Sequence, residues 1–567
     1  MWRAPMCLVA LCLSPISAVA QQTQVFTVQT PPSTAVPQGP PRDNAQPAKA
    51  GTATLRGHVV AADSGQPLRK AQVRVFAPDL RENRMTTTDG DGTYEFKELP
   101  AGRYTVMAQK GSYVNLQYGQ LRPFEPGKPL EVLGGQTLEK IDFALPKGGV
   151  MTGRILDEFG EPLADAQVAA QRRQNIGGRR RLVPAGRPAT TNDIGEFRLF
   201  AIPPGQYYVS ATLRNMGGMI GDSDDRSGYA PTYFPGTANM AEAQKVTIGL
   251  GQIVSDLDMA LIQTRTARVT GFAVDSQGKP MMGTVMAVPR GDSVMMMIGP
   301  PGQIKPDGSF AINGLAPGIY MLHTNGPGGN ESASAEVTIS GDDVNGIRLT
   351  AAPPSAASGR VVVDPAAATS LKTSTLRLIA RPVQEDAIMI GPTPGPAAVN
   401  DDLTFELKAA PGKMRIGLAG PITGWAVRAV RYRDVDVTDS GIEFNANENL
   451  ADIEVEITNR LTDVSGRVTN SRGIAQKDFS VVVFPQDRDK WTPNSRYMRT
   501  SRPDQDGRFK VNGLPPGAYY VIALDYLDTS GDWSEPDALD RLRSNATTFS
   551  LNEGETKTVD LRIASAS

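Results

Sequence analysis

The sequence predicts an all-β chain: about five β-sandwich domains in tandem, after an export signal and a disordered tether. Three observations predict it. Short runs alternate apolar and polar residues at the period of a half-buried strand, with little helical periodicity. Turn formers are dense, with 57 Gly and 44 Pro in 567 residues. One hairpin pattern also recurs along the chain, the mark of internal repetition.

The first twenty residues read as a secretory signal. Arg3 gives a positive start, Met6 to Leu13 is apolar, and Ala18-Val19-Ala20 before Gln21 fits a small-x-small cleavage site. Leu11 before Cys12 is too large for a lipobox. Both cysteines, Cys7 and Cys12, lie in this leader, so the mature chain would have no disulfide or thiol chemistry. Residues 21–52, rich in Gln, Thr, Pro and Ala, have no periodicity and read as a flexible tether. No run approaches the ~18 apolar residues of a membrane helix. The formal net charge of −2 gives no general drive toward nucleic acid or anionic membrane.

From Thr54 the repeats begin, with expected bounds 53–147, 148–263, 264–352, 353–460 (degenerate) and 461–567. Each opens with a Gly in a β-rich run: Gly57, Gly153, Gly271, Gly359 and Gly466. Three continue with an Asp-Gly-x-Pro turn, as at Asp63, Gly65 and Pro67. An apolar strand follows, then the recurring hairpin, seen first in Thr88 to Ala108. Tyr94, Phe197, Phe310 and Phe509 each stand two residues after a Gly and eight before the Gly of the next turn; Tyr104, Tyr207, Tyr320 and Tyr519 follow that turn. In the fourth repeat Leu403 and Met414 replace the Gly and Tyr. At about 85–115 residues each unit is long enough to bury its own core, which predicts beads on a string rather than a shared solenoid core. A helix is expected only at 536–543, where Leu539 and Leu542 suit a short amphipathic turn.

The order of Gly strand, turn, Val-rich strand, Asp-x-x-Gly-x-[Tyr/Phe] and Pro-x-Gly-x-Tyr resembles the carboxypeptidase regulatory-like domain, over nearly all of 53–567. The resemblance implies an Ig-like/transthyretin-like sandwich, grouped with carbohydrate-binding-like folds, and an exported protein of bacterial, possibly acidobacterial, type. The matched residues are turn and core positions, so the motif speaks for fold more than for function.

No catalytic constellation emerges. The two histidines, His58 and His323, start no His-x-x-Glu zinc motif and leave no base for Ser-His-Asp or Cys-His chemistry. There is no nucleophile elbow, phosphate loop or dinucleotide fingerprint. Sixty acids offer many carboxylate pairs, but nothing singles one out. The Asp/Gly turns at Asp89, Asp307 and Asp504 read as turns before calcium sites. Met295-Met296-Met297 reads as strand filler before a copper(I) site, because the fourth repeat has Ile there. Arg290-Gly291-Asp292 matches an adhesion tripeptide that recurs easily by chance. Isopeptide crosslinks are not expected, since no opening-strand Gly has a neighbouring Lys. No cofactor or metal is expected.

The segment before each hairpin varies most between repeats, and variable loops on a rigid sandwich are where binding is grafted. Candidate ligand-binding residues are the aromatics Trp491, Tyr497, Trp533, Trp425 and Tyr233, as sugar-stacking platforms, and Arg179, Arg180 and Arg181, as an anion contact. The bland readings are aromatics filling inter-domain contacts and a solvated basic loop. The sequence thus predicts a non-catalytic exported binding or spacer protein, periplasmic or extracellular, with an envelope or extracellular glycan as first ligand class. The alternative is a module docking a protein such as an exported peptidase or transporter; an unrecognised hydrolase is third.

Overall fold

The computed structural model describes residues 51–564 except 78–81, 177–178, 214–226, 292–300, 327–330, 384–393, 421, 423 and 530. The leader, most of the tether, the Met run and Asp292 of the adhesion-like tripeptide lie outside the described residues. The described chain is nearly all β, in sandwiches whose strands alternate buried and exposed residues.

The first repeat shows the plan. Ala53–Ala61 pairs antiparallel with Thr93–Leu99 and parallel with Thr137–Leu138 and Phe143–Leu145. The facing sheet runs Glu82–Thr87, Gln72–Ala77, Gly102–Gln109, Leu116–Gln117. Leu55, Val59, Tyr94, Phe96, Tyr104 and Val106 fill the space between them. The second and third repeats repeat the two-sheet arrangement. In the fourth, Ala426–Tyr432 and Val435–Asp436 widen the first sheet to five strands. In the fifth, Leu561–Ala564 joins the sheets, Leu561 pairing with Val468 and Ile563 with Ala523.

The repeated letters of the sequence each have a steric cause. The opening glycines pair across the ladder with the hairpin aromatics: Gly57 with Tyr94, Gly153 with Phe197, Gly271 with Phe310, Gly359 with Phe405 and Gly466 with Phe509. A Cβ on Gly271 would lie 2.0 Å from the Ile347 carbonyl oxygen and 2.9 Å from the Phe310 ring, so the neighbouring backbone fills the side-chain space. Each turn acid accepts backbone N–H groups, as Asp89 Oδ1 does from Asp91 and Thr93 at 3.0 and 2.8 Å and Asp504 Oδ1 from Asp506 and Arg508 at 2.9 Å. These are Asx turns, with the carboxylate bound to its own backbone.

The hairpin tyrosines form a repeated corner. Their hydroxyls donate to the carbonyl four residues back: Tyr104 to Pro100 at 2.9 Å, Tyr207 to Pro203 at 2.7 Å, Tyr320 to Ala316 at 2.9 Å and Tyr519 to Pro515 at 2.6 Å. Burial pushes the Tyr104 and Tyr320 phenols up to about 12. Tyr519→Phe keeps the ring and removes the bond; the expected cost is about 1 kcal/mol, read by denaturant unfolding of the full chain.

An α-helix spans Pro536–Arg543, at the bounds the pattern suggests, with Pro at its first turn and Leu539 fully buried. A second, Pro365–Ala368, was not expected; Asp364 caps it by accepting from the Ala366 N–H at 2.9 Å.

Separate cores gather in 53–145, 151–261, 267–351, 357–457 and 464–561. The units are nevertheless not independent beads. Ala50–Ser567 forms one compact unit, because the fifth repeat folds back onto the first two. Local sequence pattern shows none of this, since the contacting residues are hundreds of positions apart.

Candidate functional site

The aromatic candidates are mostly spent on packing. Trp491 is 6% exposed, meets Phe484 edge-on at 5.8 Å, and donates its indole N–H to the Pro485 carbonyl at 2.8 Å. Tyr497 lies in the fifth core, its hydroxyl accepting from Arg496 at 3.2 Å. Trp533 is half-buried against the same satellite core as Trp491. Tyr233 packs with Leu182 and Tyr208. A sugar stacks on a ring with an open face. Trp491, Tyr497 and Tyr233 present little of one.

The basic loop is a hairpin, Ala166–Ile176 paired with Arg179–Pro184. Its end reaches the fifth repeat, where Arg180 pairs with Asp532 at 3.1 Å and Asn175 bonds Glu535. Arg179 is exposed and Arg181 half-buried. The hairpin therefore contributes to an inter-repeat contact beside Trp533.

Trp425 differs from the other candidates. It is 9% exposed in the fourth core, yet it forms part of a cleft of about 290 Å³ where the fourth repeat meets the fifth. Val362, Val363 and Ile457 supply further apolar surface. Polar groups converge around them. Arg428 bridges Glu456 at 2.8 Å and Glu553 of the fifth repeat at 3.5 Å; Arg460 pairs with Asp364 at 3.2 Å. Glu456 also takes Arg431 at 3.0 Å, which holds that guanidinium above its ordinary value. The inter-repeat linker 459–460 passes through the wall, so repeat packing shapes the cleft. The lining is more polar than apolar, so the cleft suits a polar ligand rather than the apolar ones that most small-molecule pockets take. Arg428, Glu456 and Glu553 escaped sequence reasoning, because a charge on a strand looks like any solvated residue until its neighbours are known.

The histidines stay outside any cluster. His58 is exposed, its ring 3.4 Å from Asp142. His323 bonds Asn325 at 3.0 Å, and burial pushes its imidazole below the ordinary value. Among the described residues no three His, Cys, Asp or Glu side chains gather as a metal site. No helix among them is long and apolar enough to cross a membrane.

Residues 54–146 match the carboxypeptidase regulatory-like domain. The second, third and fifth repeats share that segment's opening Gly, paired aromatic and tyrosine corner. No curated protein matches the chain. Among solved structures, a streptococcal ancillary pilin is 16% identical, covering 52% of this chain and 98% of its own at a TM-score of 0.19. A minor pilin of Streptococcus agalactiae is 16% identical over 36% of this chain and 97% of its own, TM-score 0.18. The major pilin subunit of Bacillus cereus is 11% identical over 53% and 99%, TM-score 0.13. Scores this low support nothing further about this chain, whose fold rests on its own strand pairings.

Proposed function

We propose that this chain is an exported, non-catalytic scaffold of five sandwich domains that binds a neutral glycan segment in the cleft between the fourth and fifth. The observation that carries the reading is the cleft itself. Val362 and Val363 offer an apolar surface, to which Trp425, 9% exposed, adds little, while Arg428, Glu456, Arg460 and Glu553 offer paired donors and acceptors. A saccharide presents C–H faces and hydroxyls that both donate and accept, which suits a surface where charge is already paired. Against a panel of bacterial envelope and extracellular glycans, calorimetry is expected to find a binder whose affinity falls at least tenfold in Arg428→Ala. A panel without a binder, or a binder indifferent to Arg428→Ala, rejects the cleft.

The burial of Trp491, Tyr497 and Tyr233 takes three rings away from sugar stacking; the alternative reading is a module that docks a protein partner instead. Affinity capture from the periplasmic fraction, with mass spectrometry of what is retained, separates it from the first.

A further inference from the structure

We propose that the fifth repeat carries a recognition groove for a proline-flanked Phe-Glu segment with a basic residue on either side, and that loop 119–128 of the first repeat fills it in cis and latches the chain closed. The loop reads Gly-Gln-Leu-Arg-Pro-Phe-Glu-Pro-Gly-Lys. Its Glu125 has a side chain 0% exposed and meets Arg502, 2% exposed, at 2.6 Å across 377 residues of sequence. The other Arg502 nitrogen donates to Asp478 at 2.6 Å and to the Gly119 carbonyl at 3.3 Å, and the first donates also to the Phe479 carbonyl at 3.1 Å. Glu125 accepts from the Leu121 and Arg122 N–H groups at 3.2 and 3.3 Å, so the loop curls around the carboxylate it presents.

Contacts around this pair fix the direction of the loop. Tyr526 donates to the Pro123 carbonyl at 2.9 Å, Arg122 to the Asp525 carbonyl at 3.0 Å and Lys128 to the Lys477 carbonyl at 2.6 Å. Gln505 and Glu131 exchange two hydrogen bonds at 3.3 Å. Phe124 lies 3.7 Å beneath the Arg172 guanidinium of the second repeat, and Arg172 pairs with Asp528 of the fifth. The fifth repeat thus reads backbone carbonyls and one carboxylate and accepts from Arg122 and Lys128, while Arg172 of the second repeat covers the ring.

Burying two charges is costly and is offset only where the partners fit closely, so such a pair specifies one arrangement more than it stabilises it. Arg502 Nε is buried without a hydrogen-bond partner, a cost that the closed arrangement carries. A contact this polar between domains of one chain has the character of a transient interface. Repeats three and four tether the two sides and raise their effective concentration, favouring closure within one chain over pairing between two.

Electron–electron distance measurement tests the proposal. Cys7 and Cys12 are replaced by Ser, and spin labels are placed at Leu133→Cys and Ile474→Cys, both exposed and on opposite sides of the latch. The parent chain is expected to give one narrow distance distribution. Arg502→Ala and Glu125→Ala are each expected to raise the long-distance fraction more than tenfold without loss of far-ultraviolet β signal. A synthetic peptide of residues 119–128, in millimolar excess, is expected to raise it in the parent alone. A broad parent distribution, narrow distributions in both variants, or an inert peptide overturns the groove. Light scattering that finds the parent dimeric with label pairs between chains overturns the cis assignment. None of these outcomes depends on glycan binding.

Discussion

Gly466→Ala is expected to lower the unfolding transition of the fifth repeat by roughly 10–20 °C, equivalent to about 3 kcal/mol, with little change in the others. A methyl at this position would sit 2.0 Å from the Val559 carbonyl oxygen and 2.9 Å from the Phe509 ring. Val559 belongs to the closing segment, and its N–H bonds the Ser465 carbonyl at 2.8 Å, so it cannot retreat without breaking the pairing that completes the sheet. Phe509 is fully buried and packed on all sides. The cost is therefore backbone displacement, beyond a rotamer change. Gly90→Ala is the control, because nothing lies within 4 Å of its Cβ position. Differential scanning calorimetry of the full chain reads both. A Gly466→Ala transition within a degree or two of the parent would mean that the ladder yields there, and that the glycines are not held by close approach.

That expectation shows what kind of information the sequence carries. A glycine directly across the ladder from its aromatic partner is visible as a pattern because the ladder enforces it in every copy: Gly57 with Tyr94, Gly466 with Phe509. The tyrosine corner is visible for the same reason, a local bond of four residues repeated at Tyr104, Tyr207, Tyr320 and Tyr519. The helix Pro536–Arg543 was legible from its apolar spacing, whereas the four-residue helix after Asp364 is too short for a period to register. The cleft and the latch had no such signal. Arg428 and Glu553 lie on different repeats, and Arg502 and Glu125 are 377 positions apart with no recurring counterpart. The burial of Trp491, Tyr497 and Tyr233 was not legible, because composition cannot tell a ring on the surface of a sheet from a ring packed beneath a helix.

Trp491→Ala is expected to destabilise the fifth repeat by about 3–5 kcal/mol, the usual range for emptying a large aromatic site. The fifth sandwich buries residues on both faces of one sheet. Val481 and Val483 face the main core, while Val482 and Phe484 face a second cluster with Trp491, Met498, Ile522, Leu527 and Leu539. That cluster seats the helix Pro536–Arg543, where Arg488 beside the indole pairs with Asp540 of the helix at 2.5 Å. Removing the indole opens a cavity under the helix and strands the Pro485 carbonyl that accepted its N–H at 2.8 Å. Trp491→Phe keeps part of the ring volume and is expected to lose less than half as much. Chemical denaturation of the three proteins, followed by the fluorescence of the remaining tryptophans, reads the series. The result also separates two roles for this residue. A surface sugar platform changed to Ala would leave stability within about 0.5 kcal/mol and act on ligand affinity alone. A packed support for the helix loses stability first, and lowers ligand affinity only through the repeat that it holds in place.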